Sequence, residues 1–113
     1  MMACAETKTD RIRTLNDVFR QSFVGGRVVV TSGTTALSDA DRLALFAAVK
    51  NFDTFTPDND PYGEHDFGSI DIAGGKFFWK LDCYDLHCLG HSPNAADPAV
   101  TTRVLTIMRA EEY

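Results

Sequence analysis

The chain has 113 residues, of which 44% are hydrophobic and 24% are charged. A chain of this length builds one hydrophobic core and excludes a second, so we expect a single domain over residues 9–113 after a disordered leader at 1–8. The net charge of -5 disfavours a phosphate backbone or an anionic membrane as the main partner. Because there is neither a membrane-spanning apolar run nor a secretory signal, we expect a cytoplasmic protein.

The first half of the chain is typical of a helix, a strand and a second helix. Residues 9–23 carry apolar side chains at spacings of three and four, which predicts an amphipathic helix. Three consecutive valines after a Gly-Gly break favour a short strand over residues 27–31, which we expect to be central or well covered. After a Gly/Thr loop, Ser38 is a candidate N-cap for a second helix that runs to about Phe52.

The middle of the second half predicts a β-hairpin. Extended segments at 67–73 and 76–82 flank Gly74 and Gly75, and a glycine pair between two such segments is a strong turn signal. In the second segment, Trp79 shares one face with its apolar neighbours two residues away on either side. We therefore expect burial of that face to set the strand register.

The last segment predicts a third helix and completes the fold class. Asp97 is a candidate N-cap and Pro98 suits the first helical position, so we expect a helix through about Arg109. Its inward face would contain Val100, Val104, Leu105 and Met108. The order α-β-α-β-β-α predicts an α+β fold, in which three helices pack on a small antiparallel sheet of about three strands with one hairpin.

Negative charge is concentrated in the middle of the chain. Residues 51–97 contain nine acidic and two basic side chains, and no Lys or Arg lies between Lys50 and Lys76. We expect a strongly negative face that binds a basic partner. A solvated acidic loop that keeps the protein soluble is the alternative explanation. The candidate binding residues are Asp58, Asp60, Tyr62, Glu64, Asp66 and Asp71.

The segment 56–68 combines carboxylates, one imidazole and turn-forming residues. Glu64 and His65, together with Asp82, form a candidate acid–base or metal-binding group for a small hydrolase. The spacing departs from that of a calcium-binding EF-hand loop. Hydrogen bonds from Asp and Asn side chains to turn amides explain the same composition, and we favour this local explanation over a metal.

Four residues of the types that bind zinc lie within nine positions of the chain: Cys83, His87, Cys88 and His91. A structural zinc site usually combines a CxxC knuckle with a separated second pair, so this crowded spacing argues against zinc. A nucleophilic pair of Cys83 and His87 would need an orienting carboxylate, which Asp82 or Asp85 could supply. We favour a buried small thiol and exposed imidazoles, with no metal and no cofactor.

Three segments together resemble one bacterial family. They are TPDNDPYGEHDFG at 56–68, FFWKLDCYD at 77–85 and DPAVTTRVLTIMRAEEY at 97–113. On these segments the chain resembles, over nearly its whole length, the family catalogued as domain of unknown function 3768. The resemblance implies bacterial and often mobile-element origin, and it carries no established activity. The chain departs from the family pattern at Cys83, where an aromatic residue is usual, and at 86–91, which further disfavours zinc.

These observations favour a non-enzymatic module that binds the basic surface of a larger protein or nucleoprotein complex. We expect it to make no direct contact with nucleic acid or membrane. The concrete hypothesis is an inhibitor or regulator from a mobile element that acts on a nucleic-acid-processing defence complex, of the anti-CRISPR or antirestriction type. The alternative is the small metal-dependent hydrolase centred on His65. A toxin or antitoxin component and any oligomeric state are equally compatible with the sequence.

Overall fold

A computed structural model describes residues 6–113 as an α+β fold, which confirms the predicted class. Short 3-10 turns at Pro98–Val100 and Ala110–Glu112 flank the last strand. No helix among the described residues is long and apolar enough to cross a membrane. The remaining elements are α1 (Lys8–Ser22), β1 (Arg27–Val30), α2 (Ser32–Thr35), α3 (Asp39–Lys50), β2 (Phe67–Ile72), β3 (Gly75–Tyr84) and β4 (Thr102–Arg109).

Both long helices form where the sequence predicts them, because each has a side-chain cap. The Thr7 hydroxyl accepts a hydrogen bond from the Asp10 amide at the start of α1, and the Asp10 carboxylate accepts one from the Thr7 amide. Ser38 caps α3 by accepting from the Asp41 amide at 3.1 Å. Residues 1–5 of the expected leader lie outside the described residues, and Thr7 already belongs to the α1 cap.

Within residues 6–113, the sheet is mixed and has four strands in the order β1-β4-β3-β2. β1 pairs with β4 in parallel, whereas β4 with β3 and β3 with β2 are antiparallel. The expected all-antiparallel sheet of about three strands is therefore corrected to a mixed sheet of four. The predicted hairpin is confirmed, with a two-residue turn at Ala73 and Gly74, whose φ angles of 52° and 74° suit a type I′ turn.

The predicted third helix is wrong, because most of that segment is the strand β4. The Asp97 carboxylate does accept from the Ala99 amide at 2.9 Å, but the turn that it caps ends at Val100. Beyond that point the chain is extended and pairs with β1 on one side and β3 on the other. Pairing on both sides outweighs the helical spacing of the apolar residues and favours the two-residue alternation that buries Arg103, Leu105 and Ile107.

This correction also moves β1 to the edge of the sheet. Because β4 lies between β1 and β3, β1 has a neighbouring strand on one side only among the described residues. Val29 and Val30 are exposed, so the expectation of a central or well-covered strand is wrong.

The core lies between one face of the sheet and the helices α1 and α3. Trp79 is fully buried and its cross-strand partner is Ile107, which confirms the predicted register of β3. On the opposite face, Phe78 is half-buried and packs against the rings of Phe67 and Tyr113. The core cluster consists of Phe19, Leu45, Val49, Phe77, Trp79, Leu81, Leu105 and Ile107.

Candidate functional site: an acidic cleft

The loop between α3 and β2, which carries most of the predicted site residues, is organised by its own polar side chains. The Asn59 carboxamide oxygen accepts from the Thr56 amide at 2.8 Å, and the Thr56 hydroxyl accepts from the Asn59 amide at 3.3 Å. One Asp60 carboxylate oxygen accepts from the His65 amide at 3.2 Å. These contacts are the Asp and Asn turn bonds that the composition of this segment favours.

His65 is held between two carboxylates and an aromatic ring. Its Nδ1 atom lies 2.8 Å from an Asp17 carboxylate oxygen, and its Nε2 atom lies 3.6 Å from an Asp60 oxygen. The imidazole stacks on Phe55 with ring centroids 3.7 Å apart and planes 4° apart. Because its two nitrogens and one ring face are engaged within the protein, His65 is suited to fixing the loop rather than to receiving a substrate proton.

Asp17 and Arg20 of α1 anchor this loop, and sequence reasoning missed both. The Asp17 carboxylate accepts from the Arg20 guanidinium at 3.0 Å, and Arg20 is almost fully buried. Arg20 also donates to the backbone carbonyls of Val49 and Phe52, which joins α1 to the end of α3. Asn16 and Arg20 are one helical turn apart, on the same side of α1 as Phe19. This spacing is the sequence signal that polar side chains share the buried side of the helix.

An acidic cleft lies beside this network, between α1, the loop that leads into β2 and the end of β3. It has a volume of about 310 Å³, and its lining residues include Glu64, Asp66, Asp82, Cys83 and His91. Glu64 and Asp66 immediately flank His65, yet they line this cleft while His65 lines a neighbouring depression with Tyr62. The acidic residues that line the cleft therefore come from the loop before β2 and from the end of β3.

The surroundings of Glu64 and Asp66 disfavour the charged form of both carboxylates. Desolvation raises the pKa of Glu64, and the nearby charges of Asp66 and Asp60 raise it further. Desolvation also raises the pKa of Asp66, with additional repulsion from Asp60 and Asp82. Within residues 6–113 no Lys, Arg or His forms an ion pair with Glu64 or Asp66. A cation that enters the cleft would relieve this repulsion.

Of the acidic residues that line the cleft, Asp82 alone forms an ion pair in the described part of the chain. Lys80 lies on the same side of β3, two residues away, and its ammonium is 3.1 Å from the Asp82 carboxylate. This hydrogen bond raises the pKa of Lys80. Glu64 and Asp66 thus carry most of the uncompensated charge of the cleft.

The thiol of Cys83 is unsuited to act as a nucleophile. Burial raises its pKa, and the neighbouring Arg103 guanidinium offsets only part of that effect. Arg103 is itself buried, donates to the Asn16 carboxamide at 2.9 Å and to the Ala95 carbonyl, and has its pKa lowered by desolvation. Cys83 is therefore a protonated thiol in the cleft wall at neutral pH.

The four Cys and His candidates for a zinc site do not come together. Cys83 and His91 line the cleft, while His87 and Cys88 lie in the loop beyond it. Across residues 6–113, no group of three or more His, Cys, Asp or Glu side chains has an arrangement that could hold a metal ion.

The predicted binding residues separate into four places. Glu64 and Asp66 lie in the cleft, and Asp60 is buried beside His65. Asp71 lies at the hairpin end and pairs with Lys76 at 3.3 Å. Asp58 and Tyr62 are exposed on the loop. For the hydrolase alternative, Glu64 and Asp82 share the cleft but His65 lies outside it, so its three residues do not converge.

Comparison with known protein families identifies the chain. The profile of the family described as protein of unknown function (DUF3768) matches residues 30–112. The chain belongs to this family. No curated protein and no solved structure matches it. The matched range includes Glu64, Asp66 and Asp82 of this DUF3768 protein, whereas α1, which contributes Ile12 and Asn16 to the cleft wall and carries Asp17 and Arg20, precedes it.

Proposed function

We propose that this DUF3768 protein is a small acidic binding module that captures a basic surface of a larger protein in the cleft of Glu64, Asp66 and Asp82. The observation that carries the proposal is the pair of half-buried carboxylates, Glu64 and Asp66, whose charges have no ion-pair partner within residues 6–113. An arginine or lysine side chain of a partner supplies the missing positive charge, and its attraction steers association.

The partner class in this proposal is a nucleic-acid-processing complex. Proteins that bind nucleic acids expose Lys and Arg for phosphate contacts, and a rigid cluster of carboxylates can occupy such a surface. The small size and net charge of -5 suit a protein that competes with nucleic acid for a basic groove. The role that follows is an inhibitor or regulator, of the anti-CRISPR or antirestriction type, carried by a mobile element.

The geometry gives the hydrolase alternative less support than the binding module. General acid–base catalysis needs a proton-transfer group that reaches the substrate. The His65 nitrogens face Asp17 and Asp60, and Cys83 has a raised pKa. Glu64 and Asp66 have the raised pKa values expected of catalytic acids, but burial, together with repulsion from neighbouring carboxylates, explains those shifts without a reaction.

The proposal is tested with two variants that remove the same charge from different places. The cleft variant carries Glu64→Gln and Asp66→Asn. The surface variant carries Asp53→Asn and Glu111→Gln, at exposed positions outside the cleft. The measurement is the dissociation constant of each protein for a fluorescent oligolysine peptide at increasing salt concentration.

Wild type and the surface variant should bind the oligolysine peptide with similar affinity and similar salt dependence. The cleft variant should bind at least about tenfold more weakly at low salt, because the charges that face the cation are gone. If both variants weaken binding equally, net charge rather than the cleft attracts the peptide, and the proposal is wrong.

A further inference from the structure

Two leucines on the loop that follows β3 are more exposed than their side chains favour. Leu86 is 56% exposed and Leu89 is 87% exposed. Both lie in the segment 85–90, whose ends are joined by an antiparallel bridge between Tyr84 and His91. Exposed large apolar side chains that lie close together mark interaction surfaces in soluble proteins.

The loop holds these leucines in place through hydrogen bonds of its own backbone. One Asp85 carboxylate oxygen accepts from the amides of His87 and Leu89 at 2.9 and 3.1 Å. The Asp85 amide donates to the Gly90 carbonyl at 2.9 Å, which closes the loop. Because the backbone is already ordered, burying the leucines against a partner would cost little additional entropy.

The segment 85–90, which we call the leucine loop, lies at the rim of the acidic cleft. The residues that lead into and out of it, Cys83 on one side and His91 and Ser92 on the other, line the cleft wall. The Ser92 amide donates to the Cys83 carbonyl at 3.0 Å, so the two sides of the loop base are joined beside the cleft. The two exposed leucines therefore lie on a loop whose base forms part of the wall of the acidic cleft.

We propose that Leu86 and Leu89 form the apolar half of a two-part docking surface, whose partner is a basic amphipathic element. In this arrangement, which rests on the proposed function, Lys or Arg side chains of the partner enter the cleft while its apolar face packs on the leucines. Charge complementarity favours a protein over a membrane, since carboxylates at the rim repel anionic headgroups.

The test uses a synthetic lysine–leucine amphipathic helix as the probe, with a scrambled peptide of the same composition as its control. The leucine variant carries Leu86→Ser and Leu89→Ser. The apolar control variant carries Val24→Ser and Leu43→Ser, which are 73% and 68% exposed in other parts of the fold. Affinity is measured across a salt series for wild type, these two variants and the cleft variant.

The leucine variant should bind the amphipathic helix at least about tenfold more weakly than wild type, with an unchanged salt slope. The apolar control variant should bind as wild type does, and wild type should prefer the amphipathic helix over the scrambled peptide. The affinity of the cleft variant for the helix should no longer depend on salt concentration. Equal binding by wild type and the leucine variant, or no binding of the helix to wild type, would overturn the inference.

Two further outcomes distinguish this inference from other occupants and from the proposed function. Binding of wild type to phosphatidylcholine vesicles that the leucine variant loses would identify a lipid surface and overturn the inference. If the molecular mass of wild type in solution increases with concentration and that of the leucine variant does not, the occupant is a second copy of the chain, which would also overturn the inference. If the cleft variant binds as wild type does while the leucine variant still binds more weakly, the proposed function fails and the apolar contact stands.

Discussion

His65 of the long loop is fixed to Asp17 of α1 by a contact of 2.8 Å between Nδ1 and a carboxylate oxygen. The same Asp17 oxygen accepts from buried Arg20, so one carboxylate joins α1, the loop and, through Arg20, the end of α3. The loop that carries Glu64 and Asp66 is thereby held against a helix outside the range matched by the family profile. The shape of the cleft depends on α1.

Replacing Asp17 by Asn should destabilise the protein by about 2 kcal/mol or more, because Arg20 would then be a buried charge without its carboxylate. The matched control is Asp39→Asn, which removes an almost fully exposed partner of Arg42 and should change stability by less than about 1 kcal/mol. Urea unfolding measures both. Equal effects of the two substitutions would show that the Asp17 network is not structural.

Replacing Gly68 by Ala should destabilise the fold by roughly 1–3 kcal/mol, as expected for overpacking of a core. A Cβ atom at position 68 would lie 2.2 Å from the Trp79 indole nitrogen, and the fully buried ring has no free space to move into. At Gly90, the nearest atom to such a Cβ is an Asp85 carboxylate oxygen at 3.9 Å. Urea unfolding should therefore show little change in stability for Gly90→Ala. If Gly68→Ala is also as stable as wild type, the described packing of Trp79 is contradicted.

The cleft variant should be more stable than wild type at neutral pH. The folded-state pKa values of Glu64 and Asp66 are raised, so these groups favour folding when protonated and lose that contribution as pH rises through those values. The amide side chains stay neutral, and the stability difference should disappear at acidic pH. Thermal unfolding across pH measures it, and a cleft variant that is less stable at pH 7 would contradict the electrostatic strain.

Glu112 should contribute stability at neutral pH that is lost in acid. Hydrogen bonds from the Thr31 hydroxyl at 2.7 Å, the Arg109 amide at 2.8 Å and the Gly33 amide at 3.1 Å lower its pKa. Its contribution is therefore present above the unfolded pKa and lost as pH falls through the lower folded value. Glu112→Gln should lower the melting temperature at pH 7 more than Glu111→Gln does. A pH-independent difference would contradict this assignment.

The sequence predicts the long helices and the hairpin because their signals are local. Capping residues mark the starts of α1 and α3, and glycine marks the turn before β3. The segment of β4 carries a helical start signal as well as a strand alternation, and local rules favour the helix. Pairing with β1, more than seventy residues earlier in the chain, decides the outcome.

For the site, the charge pattern identifies Glu64 and Asp66 but does not separate them from Asp60 and Asp71. Whether a carboxylate is buried or exposed depends on tertiary contacts, such as that of His65 with Asp17, which holds this loop against α1 and has no local signal. Asp17 was missed for the same reason, since an aspartate followed three residues later by arginine is also typical of an exposed helix surface.

Capture of a basic partner by the cleft is tested most directly by affinity purification from the native host. Tagged wild type, the cleft variant and the surface variant are compared at low and high salt by quantitative mass spectrometry. Wild type and the surface variant should retain the same salt-sensitive, nucleic-acid-processing protein, and the cleft variant should lose it. If the cleft variant retains that protein as wild type does, the carboxylates of Glu64 and Asp66 do not form the binding site.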